Sequence, residues 1–257
     1  MDLYDIHCHL IPGVDDGSQT MEESLEAMKL EYEEGVRHII CTSHFSADCE
    51  AGYTSKLQES FEKLKLRLKE TTYGAEMRLH LGNELMYSES LLECLDEGRA
   101  WTMAGSHYIL VEFLPSVRYE ELYRGLRKLA SGGYTPILAH MERYRCLYKE
   151  NDRLDELRDL GICLQVNGAS LFGGVFDSAS AVVRKLCKSG RIHFLGTDSH
   201  GTHSRKPQIK KAAAWIHDNC PASVAEGILC GNPMAALEDK LFCFRRKLWE
   251  PIRLTRL

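Results

Sequence analysis

Asp5-Ile6-His7-Cys8-His9, followed directly by Leu10-Ile11-Pro12-Gly13-Val14-Asp15-Asp16-Gly17, is the stretch whose reading decides the fold. Two histidines one residue apart among apolar neighbours, then a turn rich in Pro, Gly and Asp, read as a strand end that sends both imidazoles to one side. Strand alternation turns the intervening Cys8 the other way. One reading makes this the first wall of a multi-metal hydrolytic site, the other a histidine-rich strand end with no ligand. The pair alone does not choose between them.

The same pattern recurs along the chain. Residues 36–42 are a β-branched run that delivers Ser43-His44, and residues 77–81 lead into Gly82-Asn83-Glu84. Residues 107–111 end in Glu112-Phe113, and 134–139 end in His140-Met141-Glu142-Arg143-Tyr144. Residues 162–166 open into the glycine-rich stretch 167–174, to which no ligand can be assigned. Residues 191–196 end in Thr197-Asp198-Ser199-His200, with His203-Ser204-Arg205 just beyond.

Helical patterns fill the intervals. Thr20 with Glu23 forms a capping-box signature ahead of Met21, Leu25, Met28 and Tyr32, with Gly35 as the stop. Leu57, Phe61, Leu64 and Leu68 recur at helical spacing, and further helices are expected over 88–97, 119–130, 152–160 and 179–188. Patterns at 207–219, 221–229 and 233–237 close the body.

Seven strand-then-helix units predict parallel strands with long crossovers. Every polar delivery falls at the C-terminal end of a strand. A barrel gathers all such ends on one rim, whereas an open sheet gathers only those near its switch point. The expected architecture is therefore α/β, a distorted TIM-like (β/α)7 barrel. The length of 257 residues, with 44% hydrophobic and 27% charged residues, fits a single domain over 1–257 with a tail from about 241.

A net charge of -5 with both signs scattered gives no footprint for nucleic acid. Asp2, Asp5, His7 and His9 interrupt any signal peptide, and no apolar run is long enough to span a bilayer. A cytoplasmic protein that does not cross a membrane is expected. Ten dispersed cysteines without C-x-x-C pairs read as reduced thiols.

Collected on one rim, His7, His9, Asp16, His44, Glu84, Glu112, His140, Asp198 and His200 supply imidazole and carboxylate donors in a number that exceeds one ion. Such a set suits two or three metals of the manganese, iron or zinc type, with magnesium also possible. Metal-bound water is then the natural nucleophile. Arg143 and Arg205 add fork-shaped donors that match phosphate, or else form ion pairs at the rim. Asp15 remains an alternative to Asp16. His38, His80, His107, His193 and His217 lie inside expected elements and read as structural, as does Glu142, while His203 stays undecided.

On Asp5–His9 with Asp15-Asp16-Gly17, Thr42-Ser43-His44, Gly82-Asn83-Glu84, Val111-Glu112-Phe113, His140–Tyr144 and Thr197–His200, the chain resembles the PHP (polymerase and histidinol phosphatase) superfamily. Within it, the chain is similar to the bacterial manganese-dependent protein tyrosine phosphatases of capsule and exopolysaccharide systems. The resemblance covers nearly the whole chain. It implies the PHP fold, a trinuclear centre, and hydrolysis of phosphotyrosine on the tail of a partner, membrane-associated tyrosine kinase. It further implies His7, His9, Glu84 and Asp198 around one ion, Glu84, Glu112 and His140 around a second, and Asp16, His44 and His200 around a third. Arg143 and Arg205 would hold phosphate oxygens while a metal-bound hydroxide attacks phosphorus in line.

Other readings are separable. Cysteine-dependent tyrosine phosphatases resemble a Cys-x5-Arg loop, and none of the ten cysteines has arginine at that spacing. A histidinol-phosphate type of small-molecule phosphatase is the runner-up, and the short chain without a large inserted lid leans towards a protein substrate. Metal-dependent amide hydrolases resemble a pattern with a barrel lysine, absent at the ends of strands three to five. A silent phosphotyrosine-binding regulator is the alternative from outside the enzymes. The basic, apolar-interleaved stretch 244–253 reads as a solvated tail or packed helix, or as a contact for an anionic membrane or acidic partner. The oligomeric state is not readable.

Overall fold

The computed structural model describes residues 2–148, 150–173, 178–203 and 205–241. The expected tail lies, apart from Leu241, outside the described residues, as do Gly174 and Ser204. Seven strands run β1 (Leu3–Cys8), β2 (Val36–Phe45), β3 (Arg78–Met86), β4 (Tyr108–Glu112), β5 (Thr135–Leu138), β6 (Cys163–Asn167) and β7 (Phe194–Gly196). They pair in that order, every pair parallel. The helices of the crossovers are α1 (Met21–Glu33), α2 (Tyr53–Lys69), α3 (Leu91–Asp96), α4 (Tyr119–Ser131), α5 (Asn151–Asp159) and α6 (Ser178–Lys188). After β7 come α7 (Lys210–Asn219), α8 (Ala222–Glu226), a π-type turn and α9 (Asn232–Leu237). Among the described residues no helix is long and apolar enough to cross a membrane.

The sheet closes on itself. Beyond β7 the chain runs along β1, with Asp198 N donating to His7 O at 2.7 Å and His9 N donating to Ser199 O at 2.8 Å. The expected (β/α)7 barrel is thus the observed one. One apolar layer lies between sheet and helices, where Ile39, Leu85, Val111, Leu138 and Val166 meet Met28, Leu64, Leu126, Leu157 and Ile216. A smaller one fills the barrel with Ile6, Ile40, Tyr108, Leu110, Ile137, Cys163 and Phe194, each worth roughly 1.5–3 kcal/mol for an aliphatic or aromatic side chain fully buried. Ala236 of α9 joins this inner layer, and Tyr108 Oη donates to Lys240 O, so the C-terminal helices stopper the end opposite the polar rim. Tyr4 stacks on His38 at 4.6 Å and His38 on His80 at 5.9 Å at that lower end, so both histidines pack there, away from the polar rim.

Sequence patterning and structure differ at three places. β2 and β3 run longer than 36–42 and 77–81, because the ladder continues through Thr42↔Gly82, Ser43↔Asn83 and His44↔Glu84. Asn83, which reads as a turn residue, instead donates to Ser43 O and accepts from Trp101 N. β7 begins later than residue 191, at Phe194; just before it His193 N donates to Leu164 O and the neutral His193 ring accepts from Leu164 N, both at 2.9 Å. In α1 the buried residues are Ser24, Ala27, Met28 and Glu31, whereas Met21, Leu25 and Tyr32 are only half-buried.

The reason for the α1 stripe is the barrel seam. Asp5 accepts from Thr197 N at 2.9 Å, from Thr197 Oγ1 at 2.5 Å and from His7 N at 3.2 Å, and Glu31 approaches the same hydroxyl at 3.4 Å. Burial and the neighbouring Asp5 charge push the Glu31 carboxyl well up, making it the neutral member of the pair. Replacing Asp5 by Ala leaves buried donors unpaired at about 1–3 kcal/mol each. The expected loss for Asp5→Ala is about 3 kcal/mol, a fall in Tm of roughly 6–12 °C for a chain of this size. A melting curve superimposable on that of the parent would contradict this account of the seam.

Candidate metal centre

The polar rim is built from residues that the strands place rather than merely end with. His7 lies in β1, whose register slips between Asp5 and Cys8. That irregularity lets Ile6 fill the inner core while His7 and His9 both face the rim, and Cys8 turns outward among Cys41 and the helix-facing layer. His44 and Glu84 stand side by side in the β2–β3 ladder, and Glu112 ends β4 opposite Met86. His140 leaves β5 at φ 31° and Asp198 leaves β7 at φ 53°, a left-handed backbone that costs non-glycine residues energy and is tolerated where surroundings over-determine it.

Two glycines make the approach possible. A Cβ on Gly17 would lie 2.0 Å from His9 O, and one on Gly196 would lie 2.7 Å from His7 Cβ. The turn of residues 12–18 therefore folds flat onto His9, and β7 lies flat against His7.

His7 Nε2 lies 3.3 Å from His9 Nε2 and 3.2 Å from Glu84 Oε2, and both imidazoles stand 3.6 Å from Asp198 Oδ1. His140 Nε2 is 2.8 Å from Glu84 Oε1 and 3.5 Å from Glu112 Oε2. His44 faces two ways, with Nδ1 3.1 Å from Glu84 and 3.3 Å from Glu112, and Nε2 3.3 Å from Asp16. His200 Nε2 is 3.4 Å from Asp16 Oδ1. Three groups result, His7/His9/Glu84/Asp198, His44/Glu84/Glu112 and His9/Asp16/His44/His200, each with ligand atoms within 4.8 Å of one another. Eight of the nine residues singled out from the sequence enter these groups, and the ninth, His140, stands beside them against Glu84 and Glu112. Relative to the expected sets, His44 additionally faces Glu84 and Glu112 beside His140, and His9 additionally joins the Asp16 group.

The electrostatics are those of a site holding protons where cations could sit. Burial alone would lower the His7 and His44 imidazoles, but Glu84 with Asp198, and Glu112 with Glu84, raise them to about 9 and about 11. Burial would raise Glu84, yet the surrounding imidazoles hold it well below the usual carboxylate range. His200 is pushed down to about 4 by burial and by His9. His140 Nδ1 and His200 Nε2 are buried without a hydrogen-bond partner. Donors about 2.0–2.2 Å from one ion stand roughly 3–3.5 Å from each other, the spacing found here, and mixed imidazole and carboxylate sets suit manganese, iron or zinc. The residues present fit such ions.

Several neighbours take other places. Asp15 accepts from His9 Nδ1 at 2.9 Å, from His44 N at 3.1 Å and from Gly17 N at 3.0 Å, so it orients His9 from behind while the more exposed Asp16 faces the group. Arg143 pairs with Asp198 Oδ2; Arg205 lies 3.3 Å from Asp16 Oδ2 and 3.7 Å from Asp198 Oδ1. Both arginines are thus rim ion pairs, and with side chains 40% and 44% exposed they also present donors to solvent. Glu142 is buried and accepts from Asn167 N, as a structural residue does. His203 is exposed and enters none of the three groups. The nine described cysteines are free thiols. Sequence reasoning passed over Gln165 and Asn167, both buried at the rim; a Gln inside the apolar run Ile162-Cys163-Leu164-Gln165-Val166 was the available signal, since buried amides need partners.

The family model for capsular polysaccharide synthesis, CpsB/CapC, matches residues 3–238. The tyrosine-protein phosphatase CpsB of Streptococcus pneumoniae is 30% identical over 244 residues, covering 93% of this chain and 100% of that protein. The tyrosine-protein phosphatase YwqE of Bacillus subtilis is 28% identical over 217 residues, covering 82% of each. A solved structure superposes with a TM-score of 0.82 at 25% identity, covering 98% of this chain and 100% of the other. It belongs to a study of YwqE from Bacillus subtilis and CpsB from Streptococcus pneumoniae, described there as unique metal-dependent tyrosine phosphatases. The chain belongs to the CpsB/CapC family of capsular polysaccharide synthesis.

Proposed function

We propose that this chain is a single-domain, metal-dependent tyrosine phosphatase that acts in the cytoplasm on the phosphotyrosine tail of a membrane-associated tyrosine kinase, and so regulates capsular or exopolysaccharide synthesis. The observation that carries the reading is the convergence of eight imidazole and carboxylate side chains in three overlapping groups, with His140 beside Glu84 and Glu112 and two guanidinium groups at the same rim. His7, His9, Glu84 and Asp198 would hold one manganese ion, Glu84, Glu112 and His140 a second, and Asp16, His44 and His200 a third. When bound, such ions supply Lewis-acid polarisation of a phosphoryl oxygen and a nucleophile available at neutral pH.

The chain's own residues do the rest. Arg143 and Arg205 meet the phosphate as charge-assisted, fork-shaped donors, giving up part of their pairing to Asp198 and Asp16 as a dianion arrives. Their exposure suits a phosphate carried on a protein loop. Asp15 holds the Nδ1 proton of His9 and leaves its Nε2 facing the ligand group. The nine candidate ligands and both arginines are all present, which argues against a silent phosphotyrosine-binding regulator.

The test of the reading is turnover of a phosphotyrosine peptide with added manganese, compared with histidinol phosphate and a phosphoserine peptide. Activity on the first and its loss on chelation are expected; equal or better turnover of histidinol phosphate would favour the small-molecule phosphatase instead. His140→Ala should abolish activity and lower metal content. Arg205→Ala should keep the metals while lowering kcat/KM by about 100-fold, the order of one charge-assisted bond lost in the transition state. Metal loss in Arg205→Ala would contradict its assignment to phosphate.

Metal uptake should also depend on pH in a definite direction. His7 and His44 hold protons at neutral pH when no ion competes, so binding must release them. Affinity should therefore rise between about pH 6 and pH 8, by about tenfold per pH unit for each proton released. Calorimetric titration with manganese at several pH values would show this, and an affinity flat or falling with pH would count against imidazole ligation.

A further inference from the structure

Behind the ligand group lies a chain of amides that the proposed chemistry does not use. Gln165 is fully buried in β6, beside Phe194 of β7, and Asn167 ends the same strand beside Gly196. Gln165 Oε1 accepts from His140 N at 2.6 Å and lies 3.2 Å from His7 Nδ1. Gln165 Nε2 donates to Asn167 Oδ1 at 2.9 Å, and Asn167 Nδ2 donates to Asp198 Oδ2 at 2.9 Å. The Cβ that Gly196 lacks would stand 3.0 Å from Gln165 Nε2 and 2.7 Å from His7 Cβ, so the backbone leaves room for this contact.

The direction of every bond in the chain is fixed from one end. A backbone N–H can only donate, so the atom that faces His140 N is the amide oxygen of Gln165. The same oxygen requires a proton of His7 to sit on Nδ1, which makes Nε2, facing Glu84 and Asp198, the atom that gives up its proton when an ion binds. At the other end, Asn167 and Arg143 occupy Asp198 Oδ2 and leave Oδ1, the oxygen 3.6 Å from both His7 Nε2 and His9 Nε2. One amide relay thus aims two of the four donor atoms of a single group from behind.

We infer that Gln165 and Asn167 are positioning residues that set the donor atoms of His7 and Asp198, and hold the left-handed turn at His140, for the ion of the His7/His9/Glu84/Asp198 group. The inference rests on the reading of His7 and Asp198 as metal ligands. A network that only stabilised the barrel would affect unfolding and leave metal affinity alone. A relay that orients donor atoms affects affinity and turnover, as partners behind ligands do in metal sites.

The experiment is calorimetric titration of the metal-free full chain with manganese, alongside kcat and KM on a phosphotyrosine peptide at saturating manganese. Gln165→Leu should weaken manganese binding by about 10–100-fold and lower kcat, with KM changed by less than about twofold because the arginines are untouched. Gln165→Glu retains an acceptor for His7 Nδ1 and His140 N, and should recover most of the affinity. Should Gln165→Leu fail to fold, Asn167→Ala, which leaves Asp198 Oδ2 to Arg143 alone, carries the same expectation. Folded Gln165→Leu or Asn167→Ala protein that binds manganese as the parent does would overturn the inference. A parent chain that takes up no manganese would overturn the metal reading and the relay together, and is a separate result.

Discussion

The barrel can exist only if its first strand meets the chain beyond its last, and here that meeting is made by a buried carboxylate. Asp5 binds Thr197 through backbone and side chain across 192 residues of sequence, and His7 O and His9 N complete the contact with Asp198 and Ser199. The residues that close the barrel alternate with the residues that face the rim. Closure and site assembly are therefore one event, and whatever loosens the seam separates His7 and His9 from Asp198 and His200. Glu31 of α1, neutral beside Asp5, seals this seam from the helix side.

The rim itself is an arrangement that folding alone would not favour. Carboxylates of Glu84, Glu112 and Asp198 crowd together in a largely buried space, and only the imidazoles and arginines between them keep the charge tolerable. His140 and Asp198 adopt positive φ without being glycine. Such local costs persist when the surrounding structure over-determines them and when function needs the geometry. Here the surroundings are visible: Gln165 holds His140 N, His7 O holds Asp198 N, and two glycines let backbones approach closer than any side chain allows.

In the proposed reading, metal affinity and phosphate affinity would share groups at this rim. Arg143 and Arg205 neutralise Asp198 and Asp16 and would also be the donors that an arriving phosphate meets. The same positive charge that offsets carboxylate repulsion would then offset substrate charge, which would tie the two occupancies together through Asp198 and Asp16.

The amino-acid sequence by itself determined the parallel barrel and the identity of the rim residues, because apolar runs of strand length ending in His, Asp or Glu are local signals with a period of two. It also marked Gly82-Asn83 as a strand end, wrongly, since only the partner strand β2 shows that the ladder continues and places Glu84 inside β3. The register slip that turns His7 inward beside Ile6, the sorting of Asp15 behind His9 and Asp16 in front, and the relay of Gln165 and Asn167 were decided by tertiary structure. Each depends on an atom contributed from a distant strand. A carboxylate or amide acquires its role from the donor it meets, and the sequence records which residues are present but not which of them fold to within 3 Å.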